Sequence, residues 1–349
     1  MKESALILAN GLFDSVFAKT THGLLRGPSK YEIAGVIDPT HTGQDAGFIL
    51  DGQKRDILFY RSVSHALEYV QPTHCVIGVA TVGGKLPRLL REDLLTAASA
   101  GLILVNGLHQ LLSEDAEIAE VAQERIIDLR KPRPASELHF WTGEIFSIPT
   151  PRIAILGMDC AIGKRTTAML MQKKFTELGM HAEVIYTGQT GWLQGLKYGF
   201  IFDATLNDFV SGELEHAIVN CYRETSPDVI LLEGQSALRN PAGPAGSELI
   251  CSAQSAGVIL QHAPARTHFE DFEHLSHTLP PLSEEIELIR LLGSEVWGIS
   301  LYTQGLDQDE SAKLSAELEE LYEIPVARPL EDGVDRFVSI IQEKLHHDH

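Results

Sequence analysis

The sequence has little of what would place it in several large protein classes. Its 349 residues include only four cysteines, Cys75, Cys160, Cys221 and Cys251, scattered and without a CxxC pair. That argues against a disulfide frame or a cysteine zinc site and fits reduced thiols in a cytoplasm. Basic residues are scarce. The 28 Lys and Arg stand against 48 Asp and Glu, a net charge of -20. Nucleic acid and anionic lipid need clustered cations on phosphate, so neither is an expected partner, whereas a small anionic ligand in a locally positive pocket is. No run approaches the ~18 uninterrupted apolar residues of a membrane span. The first residues, MKESALILANGLFD, are broken by Glu3, Asn10 and Asp14 and read as a buried strand rather than a signal peptide. The cytoplasm is the expected location, and self-association is left open.

A dinucleotide fingerprint is also missing. The first strand, ALILA (5–9), runs into NGLFDSVFAKTTHGLLRG with no GxGxxG. Asp38 ends the second strand where a ribose-binding acid would stand. Without the glycines a pyrophosphate cannot approach the backbone, so NAD is not an expected cofactor. Lys19, Thr20 and Arg26 form a small polar group nearby, either ligand-facing or plain surface.

Hydrophobic residues make up 44% and charged residues 22%, an ordinary globular balance. At roughly 150 residues per domain the length suggests two domains. Val- and Ile-rich runs at 5–9, 32–38, 74–80, 102–106 and 125–129 alternate with helical patterns such as 87–100 and 111–123. That alternation predicts parallel βαβ units, a Rossmann-like sheet over 1–130. Pro132, Pro134, Pro149 and Pro151 crowd the next stretch, predicting a connector over 131–150. Further runs at 152–157, 182–187, 228–233, 257–262, 295–301 and 324–328 predict a second α/β sheet domain over 151–349. The acidic stretch 307–323 reads as a helix with Leu314, Leu318 and Leu321 turned inward.

The strongest motif is RIAILGMDCAIGKRTTAMLMQKKFTELG, a strand, a glycine turn, Gly163-Lys164 and then a helix. Such a loop wraps backbone N–H groups around a phosphate at a helix N-terminus whose dipole favours negative charge. Five residues separate Gly157 from Gly163, one more than in GxxxxGK[ST]. The residue after the lysine is Arg165 rather than a Mg²⁺-binding Ser or Thr, with Thr166 and Thr167 following. Gly157, Asp159, Cys160, Gly163, Lys164, Arg165, Thr166 and Thr167 are therefore the candidate cofactor-binding residues. If Mg²⁺ is used, Glu233 and Thr166 are its candidate ligands. The cofactor is expected to be ATP with Mg²⁺, or acetyl-coenzyme A held without metal.

About 70 residues on, DVILLE ends in Glu233 at the carboxyl edge of a strand, where open α/β sheets bind ligands. It is a candidate metal ligand or base; the plainer reading is an ion-paired glutamate. YTGQTGWLQG makes a glycine-rich turn at the same edge, with Gln189 and Thr190 as candidate substrate contacts. DATLNDFVSGELE gathers Asp203, Asp208, Glu213 and Glu215. Asp203 is a candidate substrate contact and Asp208 a candidate catalytic group, against the plainer reading of caps and solvated faces. His262 ends a strand as a candidate base, and Arg266 four residues later is a candidate carboxylate clamp.

The loop resembles that of dethiobiotin synthetase, GTDTxxGKT, with Asp159 on that family's aspartate and Cys160 where it has threonine. Taken together, AKTTHGLLR, GMDCAIGKRTT, YTGQTGW, DATLNDFVSGELE, LLEGQSAL and LQHAPAR resemble the two-domain P-loop family that includes D-glutamate N-acetyltransferase. The resemblance covers nearly the whole chain. It implies a Rossmann-like N-terminal domain, a dethiobiotin-synthetase-like P-loop domain, and acetyl transfer from acetyl-coenzyme A to the amine of an acidic amino acid such as D-glutamate. An ATP-dependent ligase or kinase and a non-enzymatic nucleotide-binding regulator are the alternatives, since sites and not folds determine chemistry.

Overall fold

A computed structural model describes residues 3–81, 84 and 86–347. The chain divides into two compact units, 1–133 with 189–195, and 134–188 with 196–349.

In the first unit, β1 (Ser4–Leu8), β2 (Glu32–Ile37), β3 (Phe59–Tyr60), β4 (His74–Ile77), β5 (Ile103–Asn106) and β6 (Ile126–Asp128) form a parallel sheet. Their order is β3-β2-β1-β4-β5-β6, the doubly wound order. Between the strands lie α1 (Lys19–Arg26), α2 (Ala46–Asp51), α3 (Val63–Ala66), α4 (Arg88–Ser99) and α5 (Ala116–Ala122). The strands are continuous apolar runs because helices cover both faces. One core holds Leu6, Ile7, Val36, Val76, Leu94, Leu104 and Ile118.

The second unit carries β7 (Arg152–Gly157), α6 (Lys164–Glu177), β8 (Ala182–Tyr186), β9 (Tyr198–Gly199), α8 (Val210–Thr225), β10 (Val229–Glu233), α9 (Ser247–Cys251) and β11 (Gly257–His262). It continues through α10 (Leu282–Leu291), β12 (Val296–Leu301), α11 (Gln308–Tyr322), β13 (Val326–Ala327) and α12 (Asp335–His347). The intervening α7 (Gln189–Leu193) belongs to the first unit. The sheet order is β13-β12-β11-β7-β10-β8-β9. Every pairing is parallel.

Period-two alternation divides the second core. Ala154, Leu156, Ile230 and Leu232 pack with Leu214 and Ile218 of α8, whereas Ile153, Ile155, Val229 and Leu231 pack with Met171 and Phe175 of α6. β7 and β10 thus sit at the middle of the sheet, and their carboxyl ends carry the glycine loop and Glu233.

Two expectations change on contact with the structure, and two strands are added to those read from the sequence. Residues 134–150 pack with the second unit and not as a free connector, because buried acids of α8 hold them (below). Leu321 is 69% exposed, so α11 buries only the side carrying Leu318 and Tyr322. β3 and β9 have two residues each and are too short to show alternation in the sequence. No helix among the described residues is long and apolar enough to cross a membrane.

Candidate active site

The loop 158–163 leaves β7 and enters α6 through Gly163, whose φ of 96° lies in the left-handed region. Only glycine holds that conformation without strain. Ala161 (φ 53°) and Ser236 (φ 43°) hold it without being glycine, as backbone at functional loops often does. The backbone N–H groups of Ala161, Ile162, Gly163 and Arg165 meet no acceptor among the described residues. A row of unpaired donors at the start of a 14-residue helix is a nest for an anion.

The side chains around this nest are tied to one another. The buried Lys164 donates from Nζ to the carbonyls of Asp159 (2.5 Å) and Ser236 (2.8 Å). Gly234 lets the next strand come close, since a Cβ there would lie 2.2 Å from the Ile155 carbonyl. Glu233 is only 4% exposed. Its Oε1 lies 3.5 Å from Arg165 Nη1, and its Oε2 accepts from the Thr187 N–H at 3.3 Å. Burial holds the Glu233 carboxyl above the usual glutamate range, with Arg165, the Thr187 N–H and Lys164 pulling the other way.

Asp159 is fully buried. It accepts from the Cys160 N–H (2.7 Å), Arg266 Nη1 (2.8 Å) and the Glu270 N–H (2.9 Å). Arg266 also donates to the Cys160 carbonyl and pairs with Glu270 at 2.7 Å. Its guanidinium therefore fastens the segment after β11 to the loop, and is not the free carboxylate clamp expected from sequence. Cys160 is half-buried, with Sγ 3.7 Å from Ser236 Oγ and 3.9 Å from Asn240 Nδ2. Thr166 is half-buried in the first turn of α6. Thr167 turns away from the loop and donates to Gln261 Oε1 at 2.9 Å inside the sheet.

His262 ends β11 with Nδ1 3.1 Å from the Met158 sulfur. Burial pushes its imidazole down to about 4, so it is neutral near pH 7 and a weak proton acceptor. Sequence reasoning missed Ser236, Thr187, Gln261 and Glu270. The first three lie inside or beside quoted motifs, but only the fold shows which atoms they offer.

Other expected site residues lie elsewhere. Gln189 and Thr190 are buried in the first unit, where Thr190 Oγ1 is 2.9 Å from Thr20 Oγ1 of α1. In the same segment Leu193 joins that unit's core and Trp192 lies beneath the Lys30 ammonium at 3.6 Å. Lys19 opens α1, and Arg26 lies 3.8 Å from Asp51. Asp203 and Asp208 are exposed ahead of α8. The buried acids of that motif are Glu213 and Glu215. Glu213 accepts from the His139 N–H and Nδ1, and Glu215 from the N–H groups of Thr142 and Ile145. This pair of carboxylates pins 139–145 to α8, the plainer of the two readings. No group of three or more His, Cys, Asp or Glu among the described residues has the arrangement to hold a metal.

In the first unit Asp38 is fully buried. It accepts from the N–H groups of Gly11 (2.8 Å), Phe13 (3.2 Å) and Thr40 (3.0 Å) and from the Thr40 hydroxyl. Both its oxygens are engaged by the fold.

Comparison with known proteins agrees with this architecture. Residues 139–338 match the family described as "Domain of unknown function (DUF1611_C) P-loop domain", and residues 39–132 match its Rossmann-like N-terminal partner. A D-glutamate N-acetyltransferase from a Pseudoalteromonas species is 30% identical over 274 residues, 76% of this chain and 80% of the relative. One from Tritonibacter scottomollicae is 28% identical over 276 residues, with the same shares covered. The crystal structure of a DUF1611 family protein from Anabaena variabilis is similar with a TM-score of 0.88 and 31% identity, covering 98% of this chain and 99% of that one. With its P-loop match alone spanning more than half of its length, the chain belongs to the DUF1611 family, with a Rossmann-like N-terminal domain and a P-loop C-terminal domain.

Proposed function

We propose that the protein is an N-acetyltransferase that carries acetyl from acetyl-coenzyme A to the amine of an acidic amino acid such as D-glutamate, with the coenzyme's phosphates in the loop 158–165. The observation that carries this reading is the Arg165–Glu233 pair beside the unpaired amides of the loop. Where a Mg²⁺-binding hydroxyl is usual, this loop offers a cation with several donors. Coenzyme A phosphates tolerate such an arrangement, whereas ATP in a transfer reaction usually needs the metal at its leaving group. The names of the two relatives point to the same reaction and substrate.

In this reading Glu233 is the general base, since a carboxyl raised by burial is nearer in proton affinity to its task than the depressed His262. The substrate ammonium gives one proton to Glu233, and its nitrogen attacks the thioester carbonyl. The C–N bond forms and the C–S bond breaks. The second nitrogen proton passes to the leaving thiolate, which departs as the thiol. Acyl transfer uses the loop for positioning, and the positive groups near it offset the net charge of -20.

The first unit is read as using no NAD, because the Asp38 carboxylate that would meet a ribose is taken up by Gly11, Phe13 and Thr40.

The test is turnover. Purified protein is given acetyl-coenzyme A and a panel of D- and L-amino acids, and thiol release is followed together with the mass of the product. Thiol release with acidic substrates and an N-acetylated product is expected. Phosphate release from ATP that requires Mg²⁺, with no thiol released, would replace this reading with the ligase or kinase. Nucleotide binding without any turnover would replace it with the regulator.

A further inference from the structure

We infer that Arg165 is a two-position residue: it masks Glu233 while the loop is free of phosphate and turns to the phosphate when one docks, so that the amine finds its carboxylate only after the coenzyme has bound. This inference rests on the reading of the site given above and adds an order of binding to it.

Four observations carry it. The contact between Arg165 Nη1 and Glu233 Oε1 is 3.5 Å long, well beyond the ~2.7–2.9 Å of a strong guanidinium–carboxylate bond, so this partner is held loosely. Glu233 is the more enclosed partner: its carboxylate is buried and accepts the Thr187 N–H on Oε2 at 3.3 Å, and the Thr187 hydroxyl holds its main-chain carbonyl at 2.8 Å. The Arg165 side chain is partly exposed, so an exchange of partners moves the arginine. Lys164 acts on Glu233 through its charge, while its Nζ donates to the Asp159 and Ser236 carbonyls at 2.5 and 2.8 Å. Finally, Arg165 stands in the first turn of α6, and its own backbone N–H is one of the unpaired donors of the nest.

A phosphate group in that nest lies within the same helical turn as the Arg165 side chain. A guanidinium forks onto phosphate oxygens with two parallel bonds, a better match than one long contact to a single carboxylate oxygen. The charged groups that face Glu233 are Arg165 and Lys164, both from α6. With Arg165 drawn off, the buried carboxylate loses the guanidinium that contacts it, and an incoming ammonium supplies a cation in its place. Before that, the guanidinium repels the ammonium. Coenzyme and amino acid are thus coupled through one side chain, and the coupling must be reciprocal.

Calorimetry on the full-length protein tests this with coenzyme A, which allows no acetyl transfer, and D-glutamate. Saturating coenzyme A should tighten D-glutamate binding at least about tenfold, and D-glutamate should tighten coenzyme A by the same factor. Inorganic pyrophosphate in place of coenzyme A should reproduce the effect, since phosphate alone moves the arginine. In Arg165→Met, D-glutamate should bind without coenzyme as tightly as the wild type binds it with coenzyme, and the coupling should vanish. If that variant fails to fold, Glu233→Gln serves instead: it removes the charge that Arg165 masks, so the coupling should again fall to near onefold. Binding of both ligands to the wild type with less than about twofold coupling overturns the inference and leaves the proposed function standing. So does full coupling in either variant. Failure of coenzyme A to bind at all overturns the proposed function and this inference with it.

Discussion

Both sheets bring a buried carboxylate to their carboxyl edge, Asp38 just after β2 and Glu233 at the end of β10. The surroundings differ. Asp38 accepts three backbone N–H groups and a hydroxyl, and the turn after β1 is folded back on it. Glu233 has one backbone N–H and one long contact to a guanidinium, next to a loop where the N–H groups of Ala161, Ile162, Gly163 and Arg165 meet no acceptor among the described residues. Asp38 shows what a sheet edge looks like when the fold has consumed its donors. Glu233 shows what it looks like when the donors are kept for a ligand.

That contrast can be broken first at Lys164. Removing the ammonium with Lys164→Ala takes a buried cation from the nest, and binding of the phosphate-bearing cofactor should weaken by about a hundredfold or more, with a folded protein by circular dichroism. Unchanged affinity in the folded variant would place the anion elsewhere.

The next effect lies on the other edge. Asp38→Ala leaves the Gly11, Phe13 and Thr40 donors without an acceptor and should cost about 2–4 kcal/mol of stability in urea unfolding. Cofactor affinity should stay within about twofold of wild type. A large loss of affinity with little loss of stability would turn Asp38 into a ligand-binding residue.

A similar magnitude is expected from pH. His262 is held down to about 4 in the fold against 6.5 when unfolded. Between those values the unfolded chain binds more protons, so this residue's contribution is fully present above about pH 6.5 and is lost as pH falls towards 4, roughly 3 kcal/mol in all. His262→Gln should therefore show a shallower fall in stability over that window than wild type. Identical slopes would mean that the imidazole is not buried neutral.

The smallest effect is at Thr190. Its hydroxyl meets that of Thr20, and both are buried. Thr190→Val should cost about 1 kcal/mol of stability and leave cofactor affinity unchanged.

The loop was legible in the sequence because glycine, lysine, strand and helix stand side by side in one stretch of about 30 residues. The family resemblance and the two-sheet fold were legible for the same local reason. What failed was long-range. Glu213 and Glu215 stand in the same acidic motif as the candidate residues Asp203 and Asp208, but their partners His139, Thr142 and Ile145 lie some 70 residues away in the chain. Gln189 and Thr190 sit in a glycine turn at a sheet edge of the second unit, yet they pack in the first. Nothing in a seven-residue turn says which core will take it. Arg266 reads from sequence as a clamp for a substrate carboxylate, but the carboxylates it meets are Asp159 and Glu270 of the protein itself, one through each terminal nitrogen.

The central claim is that Arg165 stands in for the metal at a phosphate site. The most direct measurement is calorimetric titration of coenzyme A and of ATP into the wild type and Arg165→Thr, each with EDTA and with Mg²⁺. The account predicts that the wild type binds coenzyme A with affinities in EDTA and Mg²⁺ that agree within about twofold, and that Arg165→Thr binds at least about tenfold more weakly in EDTA and recovers part of that loss with Mg²⁺. Wild-type binding of ATP that requires Mg²⁺, together with no binding of coenzyme A, would contradict it.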